Sequence, residues 1–245
     1  MNRLTVVLTA ALTVSGAMMV RGDDDENWVR IKLDERMRSE GVAAADLNND
    51  GAPDVIAGDL WYEAPALASA EHTDGTAWRL HEIRMPGEYV AGVGYSNSFA
   101  NFAHDMNGDG LTDAVIIGFP GDPFHWYQNP GAGQETHWQQ HLIWTSACNE
   151  SPEYEDLNGD GVREIIIGSQ PESQMGFNII PSTEKAAEKF AFRAVSEPGD
   201  PNENGTFKYY HGLGAGDMNG DIHGSAEYRA HLVTVMAKRA VVDAG

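Results

Sequence analysis

Four nine-residue segments of the sequence carry oxygen-bearing side chains at a shared spacing. They read DLNNDGAPD from Asp46, DMNGDGLTD from Asp105, DLNGDGVRE from Asp156 and DMNGDIHGS from Asp217. In the first three, carboxylate or amide side chains occupy positions 1, 3, 5 and 9, and a glycine at position 6 permits a sharp turn. Oxygen ligands at these intervals favour Ca²⁺ over metals that prefer sulfur. The pattern therefore predicts calcium loops.

The predicted side-chain ligands are the residues at those four positions, with the backbone carbonyl at position 7 as a further ligand. They are Asp46, Asn48, Asp50 and Asp54 in the first loop, Asp105, Asn107, Asp109 and Asp113 in the second, and Asp156, Asn158, Asp160 and Glu164 in the third. The fourth loop is degenerate and keeps only Asp217, Asn219 and Asp221. Without a cation, each close carboxylate pair would repel by about 1 kcal/mol in water, so calcium is the expected cofactor.

An EF-hand uses similar residues, but the sequence disfavours it. An EF-hand needs a glutamate at position 12 and a helix on each side of the loop. The twelfth residues here are Ala57, Ile116 and Ile167, within apolar runs. A dockerin-like pair of loops also continues into helices and is disfavoured for the same reason.

Elements around the loops recur with them at intervals of about 50 to 60 residues. Short apolar runs, DVIAG, DAVIIG and EIIIG, follow the three intact loops and predict buried strands. An aromatic run comes next. It is followed by a further predicted strand, which begins with an aromatic residue at Trp78, Trp138 or Phe190, and an equivalent segment begins at Trp28. The approach to each loop supplies a fourth strand. Four short antiparallel strands per repeated unit predict an all-β fold, a β-propeller. The strongest helical pattern, STEKAAEKFAF near residue 182, predicts no more than a short turn.

The net charge of the chain and its residues 1–22 indicate where the protein is located and which partners are disfavoured. The chain has 16 basic and 37 acidic residues and a formal charge of −21, which disfavours nucleic acid as a partner. Residues 1–22 contain Arg3, an apolar run and small residues, which predicts a signal peptide and a secreted, periplasmic or cell-surface protein without membrane insertion after cleavage. An uncleaved anchor is the alternative. The single cysteine, Cys148, cannot form an intramolecular disulfide, so metal ions are expected to stabilise the exported chain.

The recurring unit is a strand, a D-x-N-x-D-G-x-x-[DE] loop and a second strand. This unit resembles the FG-GAP/VCBS repeats of integrin α-subunits and of many secreted bacterial proteins. The resemblance covers residues 28–221. It implies a propeller, usually of seven blades, with calcium in loops on one face and a role in adhesion or carbohydrate interaction. Three to four of those blades are expected here, in a propeller region spanning residues 23–221.

The chain departs from its own pattern in the segment 222–245. The strand expected after the fourth loop is replaced by AEYRAHLVTVMAKRAVVDAG, in which basic residues outnumber acidic ones. A truncated or frame-shifted coding sequence is one interpretation of this atypical tail, and a natural amphipathic helix is the other. Three blades and a fragment cannot close a ring, so the sequence predicts an incomplete propeller with open strand edges.

Three functions remain open. The first is a scaffold, binding or adhesion module with structural calcium and an unknown protein or carbohydrate ligand. The second is a carbohydrate-active lyase or dehydratase, because SFANFAHDMNGDG and HGLGAGDMNGD resemble propeller domains of proteins related to sugar dehydratases. The third is a truncated product without independent function. Histidines suited to proton transfer in the second case are His104, His125 and His211. Aromatic residues expected to pack between blades, with sugar stacking as the alternative, are Trp61, Tyr62, Trp126 and Tyr127.

Overall fold

Three antiparallel sheets of four strands each make up the fold. The computed structural model describes residues 29–134, 136–170, 173–199, 208–211 and 213–215. The strands of every sheet are hydrogen-bonded in chain order. The first sheet contains β1 (Ala43–Ala45), β2 (Asp54–Ala57), β3 (Leu60–Glu63) and β4 (Arg79–Glu82). The second contains β5 (Ala100–His104), β6 (Asp113–Ile117), β7 (Phe124–Gln128) and β8 (Gln139–Trp144). The third contains β9 (Glu153–Glu155), β10 (Glu164–Ser169), β11 (Gln174–Ile179) and β12 (Ala191–Ala194).

These sheets confirm the predicted four-stranded units. Each acidic loop joins the first strand of a sheet to the second, and each apolar run forms the second strand. Strands β2, β6 and β10 are buried along their whole length. This is why an apolar run follows the acidic residue that opens each of them. The arrangement is that of propeller blades, and the sheets described here do not close into a ring.

The aromatic residue before each outer strand links neighbouring sheets. Trp138 donates its backbone N–H to the carbonyl of Ile83 at 2.8 Å, at the end of the preceding outer strand. Phe190 donates in the same way to Ile143 at 3.2 Å. Both aromatic side chains are buried. The repeated aromatic position thus links the second sheet to the first and the third sheet to the second.

The predicted packing aromatics lie in the core rather than on the surface. The ring of Trp61 stacks on His81 with ring centroids 4.3 Å apart, and Trp126 stacks on His141 at 4.2 Å. The Trp126 indole also donates to the carbonyl of Ala186 at 2.9 Å. Tyrosines 62 and 127 are likewise buried. Trp61, Trp126 and Tyr127 lie in clusters that join neighbouring sheets, as predicted, whereas Tyr62 packs within the core of the first sheet.

The first aromatic segment departs from the prediction. Residues 29–33 form no strand, since no neighbouring strand in the described part of the chain offers them a ladder of hydrogen bonds. Ile31 nevertheless packs into the core of the first sheet beside Trp78. The segment near residue 182 forms a single 3₁₀ turn, Thr183–Lys185, as expected. Two further 3₁₀ turns that the sequence pattern did not indicate are Ala70–Thr73 and Gly75–Ala77.

Some expectations fall outside the described residues. They are the signal peptide 1–22, the degenerate loop with Asp217, Asn219 and Asp221, and the tail 222–245. Among the residues that are described, no helix is long and apolar enough to cross a membrane.

Replacing Trp126 tests the packing between the second and third sheets. Trp126→Ala removes a fully buried indole, its stack on His141 and its bond to Ala186, so we expect a loss of about 3–5 kcal/mol in the free energy of unfolding. Urea unfolding at fixed calcium concentration measures it. Leu80→Ala, at a side chain that is 44% exposed, is the control. Equal losses for the two variants would contradict this packing role.

Candidate metal centres

The aspartate at position 1 organises each acidic loop. In the second loop, Asp105 Oδ1 accepts the backbone N–H groups of Gly108 at 2.7 Å and Asp109 at 3.2 Å, and its Oδ2 accepts that of Gly110 at 2.9 Å. Asp46 and Asp156 accept backbone N–H groups of their own loops in a similar way. The loop backbone therefore wraps around one carboxylate.

The side chains at positions 3 and 5 stabilise the same turn. Asn107 accepts the backbone N–H of Asp109 at 3.0 Å through Oδ1 and donates from Nδ2 to the Asp109 carboxylate at 2.9 Å. Asp109 in turn accepts the N–H of Leu111 at 2.9 Å. The first loop repeats these contacts through Asn48 and Asp50. The third loop differs in one contact, because its asparagine donates to position 9 instead of position 5.

The glycine at position 6 has the conformation that the sequence predicts. Gly51, Gly110 and Gly161 have φ values of 85°, 84° and 88°, in the left-handed region. No atom lies within 4 Å of where a Cβ would stand at any of the three. Glycine is therefore favoured here by backbone conformation rather than by crowding.

The carboxylate at position 9 turns into the protein interior. Asp54 and Asp113 are fully buried, and both oxygens of Asp113 accept backbone N–H groups. One bond comes from Met106 at 2.9 Å, in the loop, and the other from Asn129 at 2.8 Å, beyond the third strand. Asp54 makes the equivalent pair of bonds, and Glu164 makes the loop bond to Leu157.

Burial dominates the electrostatics of this ninth position. It raises the pKa of Asp54 to about 6 and that of Asp113 to about 7. The backbone N–H bonds act in the opposite direction, while the carboxylates at positions 1 and 5 raise the pKa further. Burial likewise raises the pKa of Glu164. The negative charges of a loop are therefore crowded enough to affect one another.

The inward turn of position 9 decides how each loop could hold a cation. No three His, Cys, Asp or Glu side chains of the described residues form a metal cluster. What faces outward in a loop is two carboxylates and one amide, from positions 1, 3 and 5. No described ion pair involves a carboxylate at position 1 or 5. Carboxylate oxygens have further lone pairs beyond those used here, so the donor set fits a hard cation. Coordination through position 9 stays a prediction.

The three candidate histidines lie in different surroundings. His104 ends β5 with its ring nearly perpendicular to that of Tyr154, and burial lowers the pKa of this histidine. His125 lines a cleft with Asp59 and Arg84, and burial lowers its pKa too. His211 pairs with Glu150 at 3.2 Å and lines another cleft. The structure does not bring the three imidazoles together in one cavity.

Apart from His211, the residues that line this last cleft were missed by sequence reasoning. The cleft has a volume of about 400 Å³ and lies where the chain approaches β1, β5 and β9, so we call it the first-strand cleft. Four of its lining residues stand six positions before the aspartates that open the acidic loops: Glu40, Phe99, Glu150 and His211. The sequence signal that could have found the cleft is therefore the repeat itself. The position six residues before each loop has different residue types but an equivalent place in every unit.

Comparison with known families and structures adds to this geometry. Residues 105–167, from the second loop to the third sheet, match the FG-GAP-like repeat. The chain carries an FG-GAP-like repeat. The expected resemblance is thus confirmed over this segment, which contains three strands of the second sheet, β6, β7 and β8, and the first strand of the third sheet, β9. A search of curated proteins found no match.

One similar solved structure is that of an Agrocybe aegerita lectin, described as specifically recognising non-reducing terminal N-acetylglucosamine. The similarity has a TM-score of 0.39 and 14% sequence identity, and it covers 67% of this chain. This chain spans 40% of the length of that lectin.

Replacing Asp113 tests the internal role of position 9. Asn has one acceptor oxygen where Asp113 uses two, so Asp113→Asn leaves a buried N–H of Met106 or Asn129 without its partner. We expect a loss of about 1–3 kcal/mol in the free energy of unfolding, measured in urea with chelator at pH 8. Asp122→Asn, at an exposed residue, is the control. An unchanged free energy for Asp113→Asn would refute the internal role.

Proposed function

We propose that this chain is a calcium-stabilised, β-propeller-type binding module of an exported protein. The observation that carries the proposal is the construction of the three loops. Each holds two outward carboxylates within five residues, and a third carboxylate is buried behind them. In water and near a surface, such groups repel unless a cation lies between them.

Calcium would be held by the residues at positions 1, 3 and 5 of each loop. In the second loop these are Asp105, Asn107 and Asp109, with the carbonyl of Leu111 as a further ligand of the expected type. A bound ion would supply positive charge and fix the turn between the first two strands of a blade. The residues of the chain already orient that turn, because the position 1 carboxylate collects the loop N–H groups.

The binding role and the export are further parts of the proposal. Rigid sheets joined by loops of varied length suit a module whose ligand contacts come from loops. The FG-GAP-like repeat supports a module of this class. Residues 1–22 have the composition of a signal peptide, and the net charge of −21 suits a protein that avoids nucleic acid and anionic lipid.

Thermal unfolding with and without calcium tests the stabilising role. We expect the melting temperature of the chain to rise in millimolar calcium and to fall in chelator, with magnesium giving a smaller rise. Each occupied site adds about 2.7 kcal/mol when free calcium is a hundredfold above its Kd.

Matched variants locate the effect. Asp109→Asn removes one outward carboxylate of the second loop and should reduce the rise that calcium causes, whereas Asp122→Asn should leave the rise unchanged. A melting temperature that is indifferent to calcium would remove calcium from the proposal.

The export is tested separately by fusing residues 1–22 to a reporter enzyme that is active only outside the cytoplasm. We expect reporter activity and a fusion shortened by cleavage near residue 22. A fusion retained at full length inside the cell would contradict the export.

A further inference from the structure

We propose that the first-strand cleft binds a neutral carbohydrate. The inference rests on the proposed function, because it assigns a ligand class and a surface to the binding module. It concerns a different part of the fold from the acidic loops, because the loops follow the first strands, whereas the cleft is lined by the segments that lead into those strands and by the start of β5.

The cleft is built twice from the same positions of the repeat. The backbone N–H of Glu40 bonds to the carbonyl of Ser98 at 3.1 Å, and that of Glu150 bonds to Tyr210 at 2.9 Å. In each case the donor stands six residues, and the acceptor seven residues, before the opening aspartate of its own loop. A glutamate from one unit thus meets the approach segment of the next unit in two equivalent places.

The length of the segment that leads into each acidic loop alternates between short and long, and this alternation follows the pairing of units described above. The segment from the aromatic position to the acidic loop is 18 residues from Trp28 to Asp46, and again from Trp138. It is 27 residues from Trp78 to Asp105, and again from Phe190. The longer segments belong to the units that receive the glutamates. Both glutamates line the first-strand cleft.

The first long segment brings an exposed aromatic ring to the cleft. Tyr95 lines it, is 64% exposed, and lies with its ring centroid 5.6 Å from that of Phe99 and 6.2 Å from that of Phe119. Tyr209, from the other long segment, has its ring centroid 6.0 Å from that of Phe119, but neither of these two rings lines the cleft. An exposed tyrosine on a packed aromatic base offers a flat apolar surface with a polar end, which suits the C–H face and hydroxyl rim of a sugar ring.

Fixed acceptors stand beside this aromatic surface. The Glu40 carboxylate accepts the backbone N–H of Ser96 at 2.9 Å and also its hydroxyl. The Glu150 carboxylate is paired with His211. Held carboxylates accept sugar hydroxyls through charge-assisted hydrogen bonds, and such bonds are the strong ones.

Charge selects neutral over anionic sugars. The lining includes two glutamates, and no lysine or arginine is among the described residues that line the cleft. A uronate or sulfated sugar would bring a third negative charge into a cavity of a chain that already carries −21. The volume of about 400 Å³ lies within the range of about 300–1,000 Å³ that small-ligand pockets occupy.

The test uses the full chain in calcium, with neutral cello-, xylo-, manno- and chito-oligosaccharides as probes. Oligogalacturonate and hyaluronan fragments are the anionic probes, and a lysine decapeptide is the cationic one. We expect at least one neutral oligosaccharide to bind and the anionic set to bind more weakly. Tyr95→Ala and Glu40→Gln should each weaken that binding about tenfold, as expected when one hydrogen bond to a charged group or one stacking contact is lost.

Controls separate this inference from the proposed function. Val93→Ala changes an 83% exposed residue of the same long loop that does not line the cleft, and should leave binding unchanged. Tyr95→Phe should retain the stacking. Calcium-dependent melting without binding of any neutral sugar would overturn the inference alone. Preference for the uronates or for the lysine peptide, or binding indifferent to both Tyr95→Ala and Glu40→Gln, would overturn it as well. Sugar binding by a chain whose melting ignores calcium would remove calcium and leave the cleft assignment standing.

Discussion

A buried carboxylate at the start of the second strand is the contact on which each blade depends. Asp113 accepts one N–H from the acidic loop before it and one from the chain beyond the third strand. The position thus connects the loop to the far end of a hairpin and fixes the register of three strands at one point. Taking such a group out of water is costly unless its hydrogen bonds are satisfied, and here both oxygens are used. The repeated sequence conserves this contact within the chain, since Asp54 makes the same two bonds.

This contact explains why strong negative charge and apolar core lie side by side in every unit. The buried carboxylate must be followed at once by core residues, because it opens a strand that is buried along its length. It must also be preceded by a tight turn, which the outward carboxylates at positions 1 and 5 hold through backbone N–H groups. Several negative charges therefore stand within nine residues for structural reasons. A cation at the surface would relieve their repulsion without altering these bonds, which makes calcium a complement to the turn rather than its only support.

The period of the repeat made much of the fold predictable from sequence. The strand order, the loop positions and the left-handed glycines follow from local patterns, and the structure has them. The first aromatic segment failed as a strand because a strand needs a partner, and a pattern of side chains does not say whether one is present. Spacing also treated positions 1, 3, 5 and 9 alike, although strand pairing buries the last and leaves the others outside. The first-strand cleft was missed for a related reason: Glu40 and Glu150 meet only through contacts between units.

The separation of loops and cleft has a physical consequence for how the two could be coupled. Glu40 and Asp46 lie six residues apart along an approach that includes β1, a distance of at most about 20 Å in extended chain. No residue of an acidic loop lines the cleft, so a cation held by a loop and a ligand in the cleft would contact different residues. The cation could influence the ligand only by holding β1 and β5 in place, and the side chain of Asn101, which donates to the carbonyl of Gly41 at 2.6 Å, ties those strands together at the cleft itself. Because the cleft has its own cross-link, loop stability and ligand contact are separate properties of the same strands, joined by the rigidity of the blades.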